Sequence, residues 1–373
     1  MQTGWLQSVL ETPGPYASVH LDVTRTDNTA DEELRLRWAQ VAGQLEAAGA
    51  PDALVRRVED VVRSPTGLPG EQGRTVVATA DEVLLDRVLP HRPLRDGGAY
   101  GAVPHLLPLV RALADSVPYV LVEVDHAGAD VTVVDGTGRP VAEEEVDGGH
   151  DVLHKVPGGG WSHRRYQMRA EDSWERNATA VAERLDAVVS RHAPELVLIS
   201  GEAQARSHVH RHASGRVAER LVDVEGGGRG DGVHEQAFTE RVEKVLTDRR
   251  QRSLGEAVER YRQEHGRGGA AASGLAGVVD ALRQGAVELL LLADDPTSTA
   301  TLWAGEDALQ LGTTEDEVRA LGSPTAVRER ADAVLLRALV AQKGDVELLE
   351  RDGLDAGIGA LLRFDVRPPV PGR

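Results

Sequence analysis

The stretch His154-Lys155-Val156-Pro157-Gly158-Gly159-Gly160-Trp161-Ser162-His163-Arg164-Arg165-Tyr166-Gln167-Met168-Arg169 decides how this 373-residue chain is read. It carries Lys155, Arg164, Arg165 and Arg169 and no acid, in a chain whose formal net charge is −18. It is a basic island on an acidic background, and its pull on phosphate is short-ranged, about 8 Å at physiological salt. Three consecutive glycines let the backbone approach another backbone closely. Trp161 beside them offers a flat face able to stack on an exposed base, a contact worth about 1–3 kcal/mol. The same composition also suits an ordinary surface loop whose glycines serve turns and whose Trp folds back on its own domain.

Outward from the loop, residues 119–124, 129–134 and 140–146 read as a meander of antiparallel strands, with a turn at Asp135-Gly136-Thr137-Gly138. Behind it, residues 169–191 have helical periodicity, and 196–199 form a short buried strand before Ser200-Gly201. Further upstream come a strand at 16–23, one long helix over 31–63 with Leu34, Trp38, Val41 and Leu45 on one face, and strands at 75–80 and 82–88. Downstream, the glycine-rich break 226–232 precedes helices at 235–247 and 253–263. Then follow a helix at 274–284, a strand at 288–292, a helix at 326–341 and a strand at 345–349, with short elements near Thr301 and Ala360. This alternation predicts an α/β/α sandwich at the C-terminal end. The reading is three α/β domains: 1–115, 116–232 and 233–373.

Composition narrows the chemistry. With 41% hydrophobic and 27% charged residues the chain suits a soluble globular protein, and 3% aromatic content leaves Leu, Val and Ala to fill the cores. Neither a membrane span nor a secretory signal is evident, so a cytoplasmic location is expected. The absence of cysteine excludes disulfides, thiolate nucleophiles and cysteine-ligated metal. The acidic balance disfavours indiscriminate DNA binding. No cofactor is expected.

The order of elements and the loop itself resemble the central domain of the archaeal and eukaryotic class-I release factors and Pelota. There, a strand meander leads to a Gly-Gly-Gln loop and a long Arg-containing helix. Gly159-Gly160-Trp161-Ser162 occupies that place here. Residues 196–201 look like the family's strand ending in Ser/Gly, and 274–291 like the helix–strand signature of its third domain. The likeness covers roughly 117–373, and no Asn-Ile-Lys-Ser stop-codon motif stands in the N-terminal segment. The resemblance implies a ribonuclease-H-like central domain and a factor acting at the ribosomal A site. Trp161 departs from the family at the glutamine that positions the hydrolytic water, because an indole has one donor and no acceptor. That departure resembles the Balon-type ribosome hibernation factors. It implies that Lys155, Gly158, Gly159, Gly160, Trp161, Ser162, His163, Arg164, Arg165 and Arg169 contact rRNA of the 70S A site and peptidyl transferase centre, with an elongation factor GTPase as a further partner. Gln167 is the alternative catalytic residue, if the chain instead hydrolyses peptidyl-tRNA or rescues stalled ribosomes.

Other constellations carry less. Ser207-His208-Val209-His210-Arg211-His212 would converge on a metal if it were a strand, but its setting favours a helix with a solvated His/Arg face. Arg206, Arg211 and Arg216 form a candidate second RNA-facing patch. Gly226-Gly227-Gly228-Arg229-Gly230-Asp231-Gly232 lacks the Lys-Ser/Thr ending of a P-loop and reads as a flexible hinge. No Gly-x-Ser-x-Gly elbow is present.

Overall fold

In the computed structural model, residues 1–26, 29–67, 70–136, 138–147, 161–229, 234–350, 354 and 357–364 are described, with backbone alone at 147 and 161–173. The chain divides into two compact units, one formed by Met1–Ala114 together with Leu254–Arg373, the other by Asp115–Ser253.

The first unit begins with a 3-10 turn (Gly4–Leu6), α1 (Gln7–Glu11), β1 (Tyr16–Asp22), α2 (Ala30–Ala47), α3 (Asp52–Arg63), β2 (Gly73–Ala78), β3 (Val83–Leu89), β4 (Gly97–Gly101) and α4 (Leu107–Ala112). Its strands form an antiparallel sheet in the order β3-β2-β1-β4. The single helix expected over 31–63 is two. Gly49 takes φ +88°, Ala50 N–H closes back onto the Leu45 carbonyl at 2.9 Å, and Pro51 bars continuation. Leu34, Trp38, Val41 and Leu45 do share a face, packed with Val19, Leu21 and Val58 in a core belonging to this segment.

The second unit contains β5 (Tyr119–Val124), β6 (Gly128–Val134), β7 (Pro140–Asp147), α5 (Trp161–His192), β8 (Leu196–Gly201), α6 (Ala203–His212), α7 (Gly215–Ala218), β9 (Leu221–Asp223) and the start of α8 (Glu235–Gly266). The order β7-β6-β5-β8-β9, antiparallel through the meander and parallel from β5 to β9, is that of a ribonuclease-H-like sheet. Val181, Leu185, Val188 and Val189 of α5 cover one face, and Phe238 and Val242 of α8 cover the other over Leu196 and Leu198. Leu198 and Ile199 are both fully buried because the strand is covered on both faces.

The remainder of the first unit holds β10 (Ala271–Ser273), α9 (Gly274–Arg283), β11 (Val287–Ala293), β12 (Thr301–Ala304), β13 (Leu311–Gly312), α10 (Glu315–Ala320), β14 (Val327–Arg330), α11 (Ala331–Ala341), β15 (Asp345–Leu349) and β16 (Ile358–Leu362). One sheet runs β10-β16-β11-β15 and a small one β13-β12-β14. Helices α9 and α11 pack on one side of the larger sheet, and Leu254, Val258 and Tyr261 of α8 on the other. Two expectations change. The helices at 235–247 and 253–263 are one, and the intervening Asp248-Arg249-Arg250-Gln251-Arg252, free of Gly and Pro, permits the continuation. Residues 327–330 are a strand paired with β12, and the helix starts only at Ala331.

N-terminal and C-terminal segments share a core in this unit: Leu6, Val77, Leu106 and Leu109 pack with Leu282, Leu290, Leu336 and Leu339. Polar ties accompany it. Thr3 Oγ1 donates to the Gly344 carbonyl at 2.6 Å, and Arg111 makes a forked pair with Asp294. Beneath, His20 is 3% exposed, 2.9 Å by Nδ1 from Thr75 Oγ1 and 2.9 Å by Nε2 from the His105 carbonyl. Among the described residues no helix is long and apolar enough to cross a membrane.

Candidate functional site

The glycine-rich loop leaves the central sheet after β7 and returns at α5, so its two stems identify where it is held. Asp147, the last residue of β7, pairs with Gly128 at the start of β6, which places the first stem beside the turn Asp125–Gly128. Helix α5 begins at Trp161, earlier than the expected 169, and supplies the second stem. Lys155, Gly158, Gly159 and Gly160 lie outside the described residues. Trp161, Ser162, His163, Arg164, Arg165, Gln167 and Arg169 stand on the backbone of the first turns of α5, their side chains also outside the description. At 1.5 Å per residue, about 20 Å of helix separates Trp161 from Trp174.

From Trp174 onward the helix is gripped. Its indole, 9% exposed, stacks on His126 with ring centroids 3.9 Å apart and planes 16° apart. Asn177, 3% exposed, donates from Nδ2 to the carbonyls of His126 at 2.7 Å and Ala127 at 3.3 Å. The far edge of His126 meets Glu202, at the start of α6. These contacts tie the body of α5, about 20 Å along the helix from Trp161, to the same turn that the first stem adjoins.

The first stem has its own tie. Arg229 sends Nη2 to Glu145 at 2.7 Å, Nε to Asp130 at 3.0 Å and Nη1 to Asp125 at 3.2 Å, joining β7, β6 and the turn. Burial works against the Arg229 charge, but the hydrogen bond to Asp130 and the carboxylate of Asp125 more than offset it and raise its pKa. Two backbone donors precede it: Gly227 N–H to Ser200 Oγ at 3.0 Å and Gly228 N–H to Glu123 at 2.9 Å. A side chain at Gly227 would strike the Phe238 ring at 2.5 Å. The described part of the expected hinge, 226–229, is therefore pinned rather than loose, because both backbone donors and a guanidinium are spent on the sheet. Gly201, at φ +109°, admits no Cβ, which would lie 1.9 Å from the Val124 carbonyl oxygen.

The histidines of α6 disperse. His208 is buried, His210 Nε2 lies 2.8 Å from Asp223, and His212 Nε2 lies 3.2 Å from Glu175. His210 and Arg211 stand on the solvated side as expected, while His208 turns inward where α6 packs against α5 and β8. Arg206 pairs with Asp223 and Arg211 with Glu175 at 3.2 Å, so two of the three arginines of the candidate second patch are paired within the domain, while Arg216 hydrogen-bonds only the neutral Ser190 hydroxyl. The His212 hydrogen bond, and then Arg211, hold the Glu175 carboxyl below its ordinary range. Among the described residues no group of three or more His, Asp or Glu is placed to hold a metal ion.

Sequence reading missed Asp125, His126, Trp174, Asn177 and Arg229. Their one signal is the run of acids at strand positions Asp130 and Glu145 and at the strand end Asp125, which requires the register to be seen as a cluster. What the arrangement does is mechanical: it ties the end of β7, and α5 from Trp174 onward, to one turn.

Residues 118–267 match the sequence model of bacterial archaeo-eukaryotic release factor family 2. The uncharacterized protein Rv2629 of Mycobacterium tuberculosis is 30% identical over 369 residues, covering 98% of this chain and 97% of that protein. The Pelota homolog of Natronomonas pharaonis is 25% identical over 213 residues, 55% of this chain and 60% of that protein. Among solved structures, Archaeoglobus fulgidus Pelota aligns over 98% of this chain and 93% of its own, at 14% identity and a TM-score of 0.32. With the meander, the loop position and the long helix in the order described, the chain belongs to the bacterial archaeo-eukaryotic release factors, family 2.

Proposed function

We propose that the protein is a ribosome-associated factor of the cytoplasm that occupies the A site of idle 70S ribosomes, blocking tRNA entry and shielding the decoding and peptidyl transferase centres. The observation that carries this reading is the loop within the family-matched region. It keeps the glycines and the basic residues and has Trp161 where a release-active member needs glutamine. Trp161 stacks on rRNA, Lys155, Arg164, Arg165 and Arg169 meet phosphates, and the glycines permit the close approach. Segments 1–115, 116–232 and 233–373 then serve the decoding side, the peptidyl transferase side and an elongation factor GTPase, respectively. The two ties to the Asp125–Gly128 turn support this reading, because they fix the base from which the loop and the first turns of α5 extend.

A second reading is favoured by Gln167, which stands on α5 within two turns of Trp161 and carries both a donor and an acceptor able to orient water. On it, the protein hydrolyses peptidyl-tRNA or rescues stalled ribosomes.

Co-sedimentation with vacant 70S ribosomes and with peptidyl-tRNA-loaded ribosomes, scoring bound protein and released peptide together, separates the two. Binding without release is the expected outcome. Release that disappears in Gln167→Ala would establish the hydrolase, and no binding to either ribosome would sink both readings.

A further inference from the structure

A cavity of about 750 Å³ opens on the first unit, between α1, the segment entering β1 and the turn after β12. Its floor is apolar: Leu10, Pro15, Tyr16, Ala304 and Ala341 line it, and Val327 at its margin is 36% exposed. Its rim is acidic, with the exposed carboxylates of Glu11, Glu306 and Asp307. Close by, Glu329 accepts the N–H of Ala102, another lining residue, at 3.1 Å. The basic residue of the lining, Arg337, feels the charge of Asp307 but forms no ion pair with the rim acids among the described residues. It is 8% exposed and sends its two Nη groups to the carbonyls of Gly305 at 3.0 Å and Glu306 at 2.5 Å, holding the turn that presents Glu306 and Asp307.

We propose that this groove binds a basic, extended peptide segment of a partner protein. The volume lies within the range of ligand sites, about 300–1,000 Å³. Charge complementarity selects the occupant: three rim carboxylates, with the lone guanidinium turned inward, repel nucleic acid and acidic peptides and attract Arg or Lys. The apolar floor between them takes the stems of those side chains, which bury their methylenes while the charged heads stay at the wet rim. The groove lies in the unit that lacks the loop, and its occupancy is independent of the A-site reading.

The test is fluorescence anisotropy of the full-length protein with a fluorescein-labelled peptide, Ala-Arg-Pro-Arg-Ala-Arg-Ala, and the same peptide with Glu replacing Arg. The expected result is saturable binding of the basic peptide alone. Combined Glu11→Gln, Glu306→Gln and Asp307→Asn, which keep the hydrogen-bonding shapes, weaken it about tenfold. Ala341→Trp, an exposed position at the end of α11, fills the groove and weakens it as much while leaving the rim charges in place. Neutralising three exposed acids elsewhere, Glu143→Gln, Glu183→Gln and Glu256→Gln, changes it by less than about twofold. No binding by the natural chain, equal losses from the distant neutralisations, or an unaffected Ala341→Trp would each overturn the assignment.

Discussion

His20 shows how much one buried side chain commits. Burial, and then the neighbouring His105, push its imidazole down to about 3, so it stays neutral in the folded chain while an unfolded histidine titrates near 6.5. As pH falls from about 6.5 toward 3, the unfolded chain takes up a proton that the folded chain refuses. Stability present above that window is lost within it, by about 1.4 kcal/mol per pH unit for each such group. Burial also lowers the His105 pKa, so the natural chain carries more than one share of this slope. Urea unfolding between about pH 4 and 6 should show His20→Gln with a slope shallower by one proton's worth. An unchanged slope would mean that His20 is not the group refusing the proton. Neither this histidine nor Arg229 was legible in the sequence. His20 alternates with apolar neighbours as any strand residue does, and Arg229 sits among glycines that mimic a hinge. Its three carboxylate partners lie between 84 and 104 positions away.

At the scale of elements, β8 and the C-terminal β11 were legible because covered strands read as short apolar runs, and the meander because a turn at 135–138 separates its strands, the last of which carries three glutamates. Helix limits were less so. The sequence could not say that Asp248 to Arg252 continues α8, because a polar run without Gly or Pro suits either a solvated helix face or a break. It also placed the loop's end at Arg169, whereas the helix starts at Trp161, directly after the third glycine. The grip on α5 lies at Trp174 and Asn177, polar and aromatic positions that the periodicity alone assigns no partner. Trp174→Ala should cost about 3–5 kcal/mol by removing a buried ring, and Trp174→Phe much less because a smaller aromatic still stacks on His126. Chemical denaturation of the full chain reads this difference, and equal losses for the two variants would show that stacking contributes nothing special.

For the whole molecule, the proposed A-site reading has an acidic chain meet RNA through one basic loop, and its salt dependence follows from that loop alone. Four basic side chains predict a slope of log K against log salt of about −3 to −4 for ribosome binding. Arg164→Ala with Arg165→Ala should make that slope shallower by about 1.5 to 2, and Trp161→Ala should weaken binding while leaving the slope unchanged. Sedimentation binding at several potassium concentrations measures both. A slope unaffected by the arginine changes would place the phosphate contacts elsewhere on the chain.

The first unit is assembled from the two ends of the chain, with Leu6, Val77, Leu106 and Leu109 packed against Leu282, Leu290, Leu336 and Leu339. That arrangement orders the events of synthesis. The residues of the N-terminal segment that enclose Trp38 and Leu45 can close their own core as soon as they emerge. The apolar surface around Leu106 and Leu109 must then wait for the C-terminal helices, at about 5–20 residues per second a delay of roughly 10–50 s. During that interval the nascent chain carries an uncovered hydrophobic face, while the intervening central unit, built from contiguous residues, completes its own sheet. The protein is thus finished from the middle before its two ends meet, and its exposure to chaperones is set by translation speed across residues 115–373.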